Sequence, residues 1–343
     1  MAKKITRKDI AQKAGTSVSV VSRALNRSGY VKEEKRQKIL QIARELNYIP
    51  DSVTMELQEQ KTKQIIFLCN DIRNPFYIQM YQGMLDAAKD LNYRIVLDGN
   101  MELSNIRNVL TDGIIFSNQI AAAQYLDTYG KNYDIPVVCA SYADIVDVKK
   151  SITMVEIDMF KAVEIALDYL WNMGHRKIAY ATPHDPIYSS RGNAYMNWLR
   201  DKGIEPEKYM LKVPFSNEQE DSHLDFRILG RLAAYEYVRS NNNASAILAF
   251  NDEYAYGIMY GLMEMKISVP DDVSIMGMDG TYTRQYMSKK LTTVSLFPEK
   301  QGALCVQNLV NIIEKKSHKY ITRITPKIIE GDTVYHKNDS RKQ

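Results

Sequence analysis

The chain has 343 residues, too many for one typical domain, and its 45% hydrophobic and 25% charged residues argue against a disordered or fibrous protein. The net charge of +4 sits at one end: residues 1–60 carry 12 Lys and Arg against 7 Asp and Glu, whereas the remainder carries 33 against 34. A basic head on a near-neutral body favours nucleic acid over a membrane as partner, because phosphates need clustered positive charge.

No stretch approaches the roughly 18 apolar residues of a membrane span. The N-terminal MAKKITRKD has no apolar region of a secretion signal, so the cytoplasm is the expected compartment. Cys69, Cys139 and Cys305 lie far apart in apolar runs without metal-ligand spacing, which points to buried, reduced thiols and to no metal or cofactor.

Residues 5–26, ITRKDIAQKAGTSVSVVSRALN, read as two short helices and a tight turn. Thr6 is placed to cap the first, with Asp9 in capping-box position. Gly15 breaks the pattern and Ser17 is a good cap for a second helix through Asn26. On that helix Val21, Ala24 and Leu25 share an inward face. Val18, Ser19, Ser22, Arg23 and Asn26 face outward, a small polar surface without a carboxylate. Such a face suits the DNA major groove: arginine bridges O6 and N7 of guanine, and aliphatic groups meet the thymine methyl. An ordinary helical hairpin is the competing reading of these residues alone.

KEEKRQKILQIARELNY, residues 32–48, predicts a third helix with Ile39, Ile42, Ala43 and Leu46 inward. Pro50 ends it, and residues 51–60 predict a segment that becomes helical only against a partner, with Val53 and Leu57 on one side. From Gln64 the pattern changes. QIIFLCN, YRIVL, DGIIF and PVVCAS are short apolar runs of the parallel-sheet type, with a helix over Tyr77–Asn92. A second series follows from Asp158: helices at 160–174, 190–203 and 254–266, and strands at KIAYATP, AILAFND and SIMGMDG. This β-α-β rhythm, met twice, predicts two doubly wound lobes with a ligand cleft at the carboxyl ends of their strands. There is no GxGxxG, P-loop, GxSxG or paired-acid motif, and the five histidines are scattered. No catalytic residue is expected, and no enzyme.

Over essentially its whole length the chain resembles the lactose-repressor (LacI/GalR) family of bacterial transcription regulators. The resemblance rests on DIAQKAGTSVSVVSRALN with LNYIPD, then NPFY at 74–77, MGHRKIAY at 173–180, NDEYAYG at 251–257, PDDVSIMGMDG at 270–280 and LTTV at 291–294. It implies an α/β protein with an N-terminal three-helix helix-turn-helix head and a two-lobed, periplasmic-binding-protein-like doubly wound core. The implied organisation is a head at 1–49, a hinge helix at 50–63, a first lobe at 64–157 plus about 297–323, and a second lobe at 158–290 plus about 324–337. The partners it implies are a pseudo-palindromic double-stranded operator, a second copy in a homodimer, and a small effector between the lobes.

By the same resemblance Val18, Ser19 and Arg23 read bases, Thr6, Ser17, Ser22 and Asn26 meet the backbone or cap helices, Leu57 enters the minor groove, and Met55 beside it belongs to the DNA-binding set. Three departures stand out: Arg7 at a commonly apolar position, Thr54-Met55 where Ala-Arg is usual, and a shortened 97–112 segment. The effector set carried over is Asp71, Asn74, Phe76, Arg191, Phe215, Asn251, Asp252 and Asp279, with Tyr77, Tyr188, Tyr254 and Tyr282 as further candidates. Carboxylates, amides, an arginine fork and aromatic rings suit a sugar, and the reading is a repressor of sugar-utilisation genes. A purine, a phosphorylated carrier protein, or carbohydrate binding without gene regulation are the alternatives.

Overall fold

The computed structural model describes residues 6–25, 29–46, 62–99, 109–129, 135–142, 152–183, 185–213 and 225–336. Asn26, Met55, Leu57, Phe215, the expected linker helix and most of the shortened 97–112 segment lie outside them. The chain divides into two compact units, Met1–Thr62 and Lys63–Gln343.

In the first unit α1 (Arg7–Ala14), α2 (Val18–Leu25) and α3 (Glu33–Glu45) enclose a core of Ile10, Val21, Ala24, Val31, Ile39 and Ile42. The punctuation is local chemistry. The Asp9 carboxylate accepts from the Thr6 N–H at 2.7 Å, completing the capping box. Gly15 ends α1 at φ 62, in the left-handed region that glycine reaches without a Cβ clash. The Ser17 hydroxyl accepts from Val20 N–H at 3.3 Å and starts α2.

The second unit holds two six-stranded sheets. The first orders its strands β11-β5-β4-β3-β1-β2, all parallel: β1 (Gln64–Leu68), β2 (Arg94–Asp98), β3 (Gly113–Phe116), β4 (Val137–Ser141), β5 (Thr153–Ile157) and β11 (Ile321–Ile324). The second orders them β12-β10-β9-β8-β6-β7: β6 (Ile178–Thr182), β7 (Met210–Lys212), β8 (Ala246–Ala249), β9 (Ser274–Asp279), β10 (Thr292–Ser295) and β12 (Lys327–Ile329), of which only the β10–β12 pair is antiparallel. Central strands such as β3, β6, β8 and β9 are buried along their whole length, which is why they read as unbroken apolar runs.

Helices cover both sheets. α4 (Pro75–Asp90) starts two residues earlier than the periodicity predicts, because Asn74 accepts from Phe76 N–H at 3.0 Å and Pro75 pre-sets the first turn. α5 (Gln119–Tyr129) was not expected. α6 (Met159–Asn172) and α7 (Ser190–Asp201) follow the expected spans closely. α8 (Phe226–Arg239) is also additional, and α9 (Asp252–Glu264) starts at Asp252 rather than Tyr254 because Asn251 caps it.

α10 (Pro298–Ile313), a further unexpected helix, returns from the second sheet to the first. Its Gln301 donates to the carbonyls of Ser141 and Val155 at 3.2 and 2.9 Å. It packs on α4 backbone to backbone: a Cβ added at Gly302 would lie 2.0 Å from the Met80 carbonyl oxygen. The chain thus passes between the sheets three times, after β5, β10 and β11. One apolar cluster continues from Ile65 and Phe67 of the first sheet into Tyr180 and Met276 of the second. Beside it Gln79 of α4 accepts from the Tyr282 N–H of the second lobe at 2.8 Å and donates to the Glu299 carboxylate. The two lobes are therefore pinned by a side chain as well as by covalent crossings.

Candidate functional site

The outward face of α2 carries no acid. Val18 is 40% exposed, and Ser19 and Arg23 are exposed. Arg23 Nε donates to the Ser19 carbonyl one turn back at 3.4 Å, laying the guanidinium along the helix. Gly29 supports its stem: a Cβ there would lie 3.1 Å from Arg23 Cδ. Ser22 is engaged, accepting from Arg7 Nη1 at 3.3 Å, so the unexpected arginine on α1 braces the same face. Thr6 and Ser17 are exposed and both serve as caps.

In the second unit a cavity of about 940 Å³ lies between the lobes, at the upper end of the usual 300–1,000 Å³ range for ligand sites. Its walls are the residues that follow the strands. Asn70, Asp71 and Asn74 come after β1, Asn118 after β3 and Tyr142 after β4. Ser189–Arg191 come after β6 and Phe250–Asn251 after β8, and Asp279 ends β9. Such crevices form where strand order reverses, here between β1 and β3 and between β6 and β8. Three caps line it: Asn74, Ser189 and Asn251 accept from Phe76, Gly192 and Tyr254 N–H groups. The positive ends of α4, α7 and α9 therefore converge on the cavity and favour oxygen-rich ligands.

Arg191 is the best-anchored group on its floor. Nη1 donates to the Phe250 carbonyl at 3.0 Å, Nη2 lies 3.5 Å from Asp279 Oδ1, and the guanidinium stacks 4.4 Å over the Phe250 ring. Asp279 is buried with φ 139, a backbone conformation that side-chain-bearing residues rarely adopt and that concentrates at functional sites. Burial pushes its carboxyl well above the usual carboxylate range, outweighing the opposite pull of Arg191, with Asp252 and Glu253 adding to the rise. Ligand hydroxyls donating to this carboxyl would restore the hydrogen bonds that burial removed. Tyr77 and Tyr142 form the opposite wall, their phenols held protonated by burial. Phe76 meets both rings, edge-on to Tyr77 at 5.5 Å and tilted to Tyr142 at 5.9 Å.

Of the effector residues expected from the sequence, Asp71, Asn74, Phe76, Arg191, Asn251 and Asp279 come together around this cavity, and Tyr77 joins them. Asp252 does not. It is fully buried, accepting from Thr281 N–H at 2.7 Å and from the Thr293 hydroxyl at 2.5 Å, and it fastens α9 to the strand ends. Tyr254 is core, and Tyr282 stands outside the cavity on a short 3-10 turn, Tyr282–Tyr286. Phe215 and the Tyr188 side chain lie outside the described residues. Sequence reasoning missed Asn118, Tyr142, Met159, Phe226 and Phe250. Position alone was the signal, since several are the first polar or aromatic residues beyond a parallel strand.

Cys69, Cys139 and Cys305 are buried and form no disulfide, and burial raises the Cys69 thiol to about 11. Among the described residues no helix is long and apolar enough to cross a membrane, and no cluster of His, Cys, Asp and Glu could hold a metal ion.

Residues 6–51 match the model for bacterial regulatory proteins of the lacI family, and residues 167–334 the periplasmic binding protein-like domain. The chain is 31% identical to the probable HTH-type transcriptional repressor ExuR of Bacillus subtilis (strain 168), over 92% of this chain and 93% of that one. Its structure is similar to that of the lac repressor dimer bound to operator and the anti-inducer ONPF. There the TM-score is 0.80 at 20% identity, over 97% of this chain and 100% of the other. It is also similar to the transcriptional regulator CelR in complex with cellobiose, with TM-score 0.66 at 20% identity over 96% and 99% of the two chains.

Proposed function

The chain belongs to the lacI family of bacterial regulatory proteins, transcription regulators and not enzymes, and from that premise we propose a cytoplasmic repressor of sugar-utilisation genes governed by a carbohydrate effector. The observation that carries the effector reading is the Arg191–Asp279 pair at the floor of the cavity, facing the aromatic wall of Phe76, Tyr77 and Tyr142. A sugar presents hydroxyls that donate to Asp279 and accept from Arg191, and apolar ring faces that stack on aromatics.

In the head, Val18, Ser19 and Arg23 read base edges in each half of a pseudo-palindromic operator. Thr6, Ser17 and Ser22 set the register against phosphate, and a homodimer supplies the second half-site. Arg7, bonded to Ser22, adds positive charge on the same side. Asn26, Met55 and Leu57 complete the proposed DNA set.

In the core, sugar binding draws the two lobes together and Gln79 transmits the closure, since it joins α4, whose first turn lines the cavity, to Tyr282 of the other lobe. Effector and operator then change each other's affinity by the same factor. A thermal-shift screen of the full chain against mono- and disaccharides, purines and sugar phosphates tests this reading. A ligand that binds only the folded form raises the melting temperature. Saccharides are expected to shift it, and a shift by purines alone would replace the sugar with a base.

A further inference from the structure

A second, smaller cavity of about 140 Å³ adjoins the main one and shares Asp71, Asn74 and Phe226 with it. Its far wall belongs to Glu253, near the start of α9. Glu253 is only 4% exposed, and its two oxygens are in unequal situations. Oε2 accepts from Arg227 Nε, whereas Oε1 is buried and has no hydrogen-bond partner among the described residues. A carboxylate paired with an arginine accepts hydrogen bonds, so a bare oxygen on a residue of the cavity wall is satisfied by a ligand that brings O–H or N–H once the side chain turns toward it.

The rest of the small cavity fits the same kind of ligand. Phe226, which faces both cavities, lies against Phe250 with ring centroids 5.8 Å apart and planes 30° apart. Stacked on Phe250, Phe226 carries the aromatic lining of the main cavity into the small one. Among the described residues of the small cavity Arg73 is paired with Asp71 and Arg227 with Glu253, and Asp225 adds a further carboxylate, which disfavours an anionic group. An aromatic ring and a carboxylate lining one small cavity suit a pyranose, which pairs apolar ring faces with hydroxyls at its edge.

We propose that this small cavity is a second sugar subsite, so that the effector is a saccharide of at least two linked rings, the outer one stacking on Phe226 and donating a hydroxyl to Glu253 Oε1. The proposal rests on the carbohydrate reading of the main cavity and adds its length.

Calorimetric titration of the full chain with glucose, galactose and xylose and with cellobiose, lactose and xylobiose tests it, in the wild type and in Glu253→Gln. At least one disaccharide is expected to bind about tenfold or more tighter than its monosaccharide, the return on one charge-assisted hydrogen bond. That ratio is expected to collapse toward one in Glu253→Gln. Operator affinity and melting temperature check the fold of the variant. Should its fold fail, Phe226→Ala is expected to reduce the same ratio by removing the stacking face. If a monosaccharide binds as tightly as its dimer, or if both variants keep the wild-type ratio, the subsite is wrong while the sugar reading stands. If no saccharide binds the wild type, both fall together.

Discussion

The proposed reading face of α2 and the floor of the cavity are the same size of problem solved in opposite ways. On α2, Val18, Ser19 and Arg23 stand in solvent, and the longest-reaching side chain is steadied by one 3.4 Å bond to its own helix. On the cavity floor Arg191 is held by a carbonyl, a carboxylate and a ring, and Asp279 is buried in a rarely adopted backbone conformation. A surface that must slide over many duplexes gains from adaptable side chains whose contacts form only with the partner. A cavity proposed to convert a small ligand into a lobe movement gains from groups already in place, since ligand binding then does not have to order them. Substitutions should therefore separate cleanly: changes at Val18, Ser19 or Arg23 alter recognition without touching stability, and changes on the floor alter both.

The largest effect is expected at Asp279. Asp279→Ala removes the acceptor for ligand hydroxyls and leaves Arg191 facing a void. Saccharide affinity should fall by about 100-fold or more in calorimetry, with operator binding retained. Retained saccharide response would move the site elsewhere and break the comparison.

Next comes Arg23→Ala, which should cut the ratio of specific to random-sequence DNA affinity by about 10- to 100-fold in a binding titration, at unchanged melting temperature. Unaltered discrimination would remove α2 as the reader.

A pH series sharpens the contrast further. Because burial raises the Asp279 carboxyl in the folded state above its unfolded value, the folded chain holds the proton longer. Its contribution to stability is full below the unfolded value and is lost as pH rises toward the folded one. Asp279→Asn, which cannot ionise, should gain stability relative to the wild type as pH is raised from 4 to 7, at most about 1.4 kcal/mol per unit. A pH-independent difference in melting would show that the carboxyl is not held protonated.

The smallest effect belongs to Ser17→Ala, where loss of the α2 cap should cost about 1 kcal/mol in a chemical melt of the head. If operator affinity drops by more than that, Ser17 also touches phosphate.

Legibility followed the same division. The head could be read closely from sequence because Thr6 with Asp9, Gly15 and Ser17 act within one turn of themselves. β1–β4, β6, β8 and β9 were legible as apolar runs. β5, β7, β10, β11 and β12 were not: β11 and β12 are three or four residues long, and Ile321 pairs with Met154, far back in the chain, so no local period announces it. α5 shows scarcely any amphipathic pattern in QIAAAQYLDTY, and its cap, Asn118 accepting from Ala121 N–H at 2.9 Å, follows a strand without any break. In the cavity, the family resemblance named Arg191 and Asp279, and the structure sets them 3.5 Å apart. Asp252 looked equally suited to a hydroxyl, but three protein donors already occupy it. Tyr142 and Phe226 could be placed only once the sheet order was known.

The proposed function requires coupling between cavity and head, and one thermodynamic cycle measures it. An operator is selected from a random duplex pool with the full chain. Its dissociation constant is then determined with and without a saturating saccharide from the thermal screen, and the saccharide's constant with and without operator. The expected result is the same factor, about 5- to 150-fold, in both directions. An operator affinity indifferent to a saccharide that fills the cavity would contradict the account.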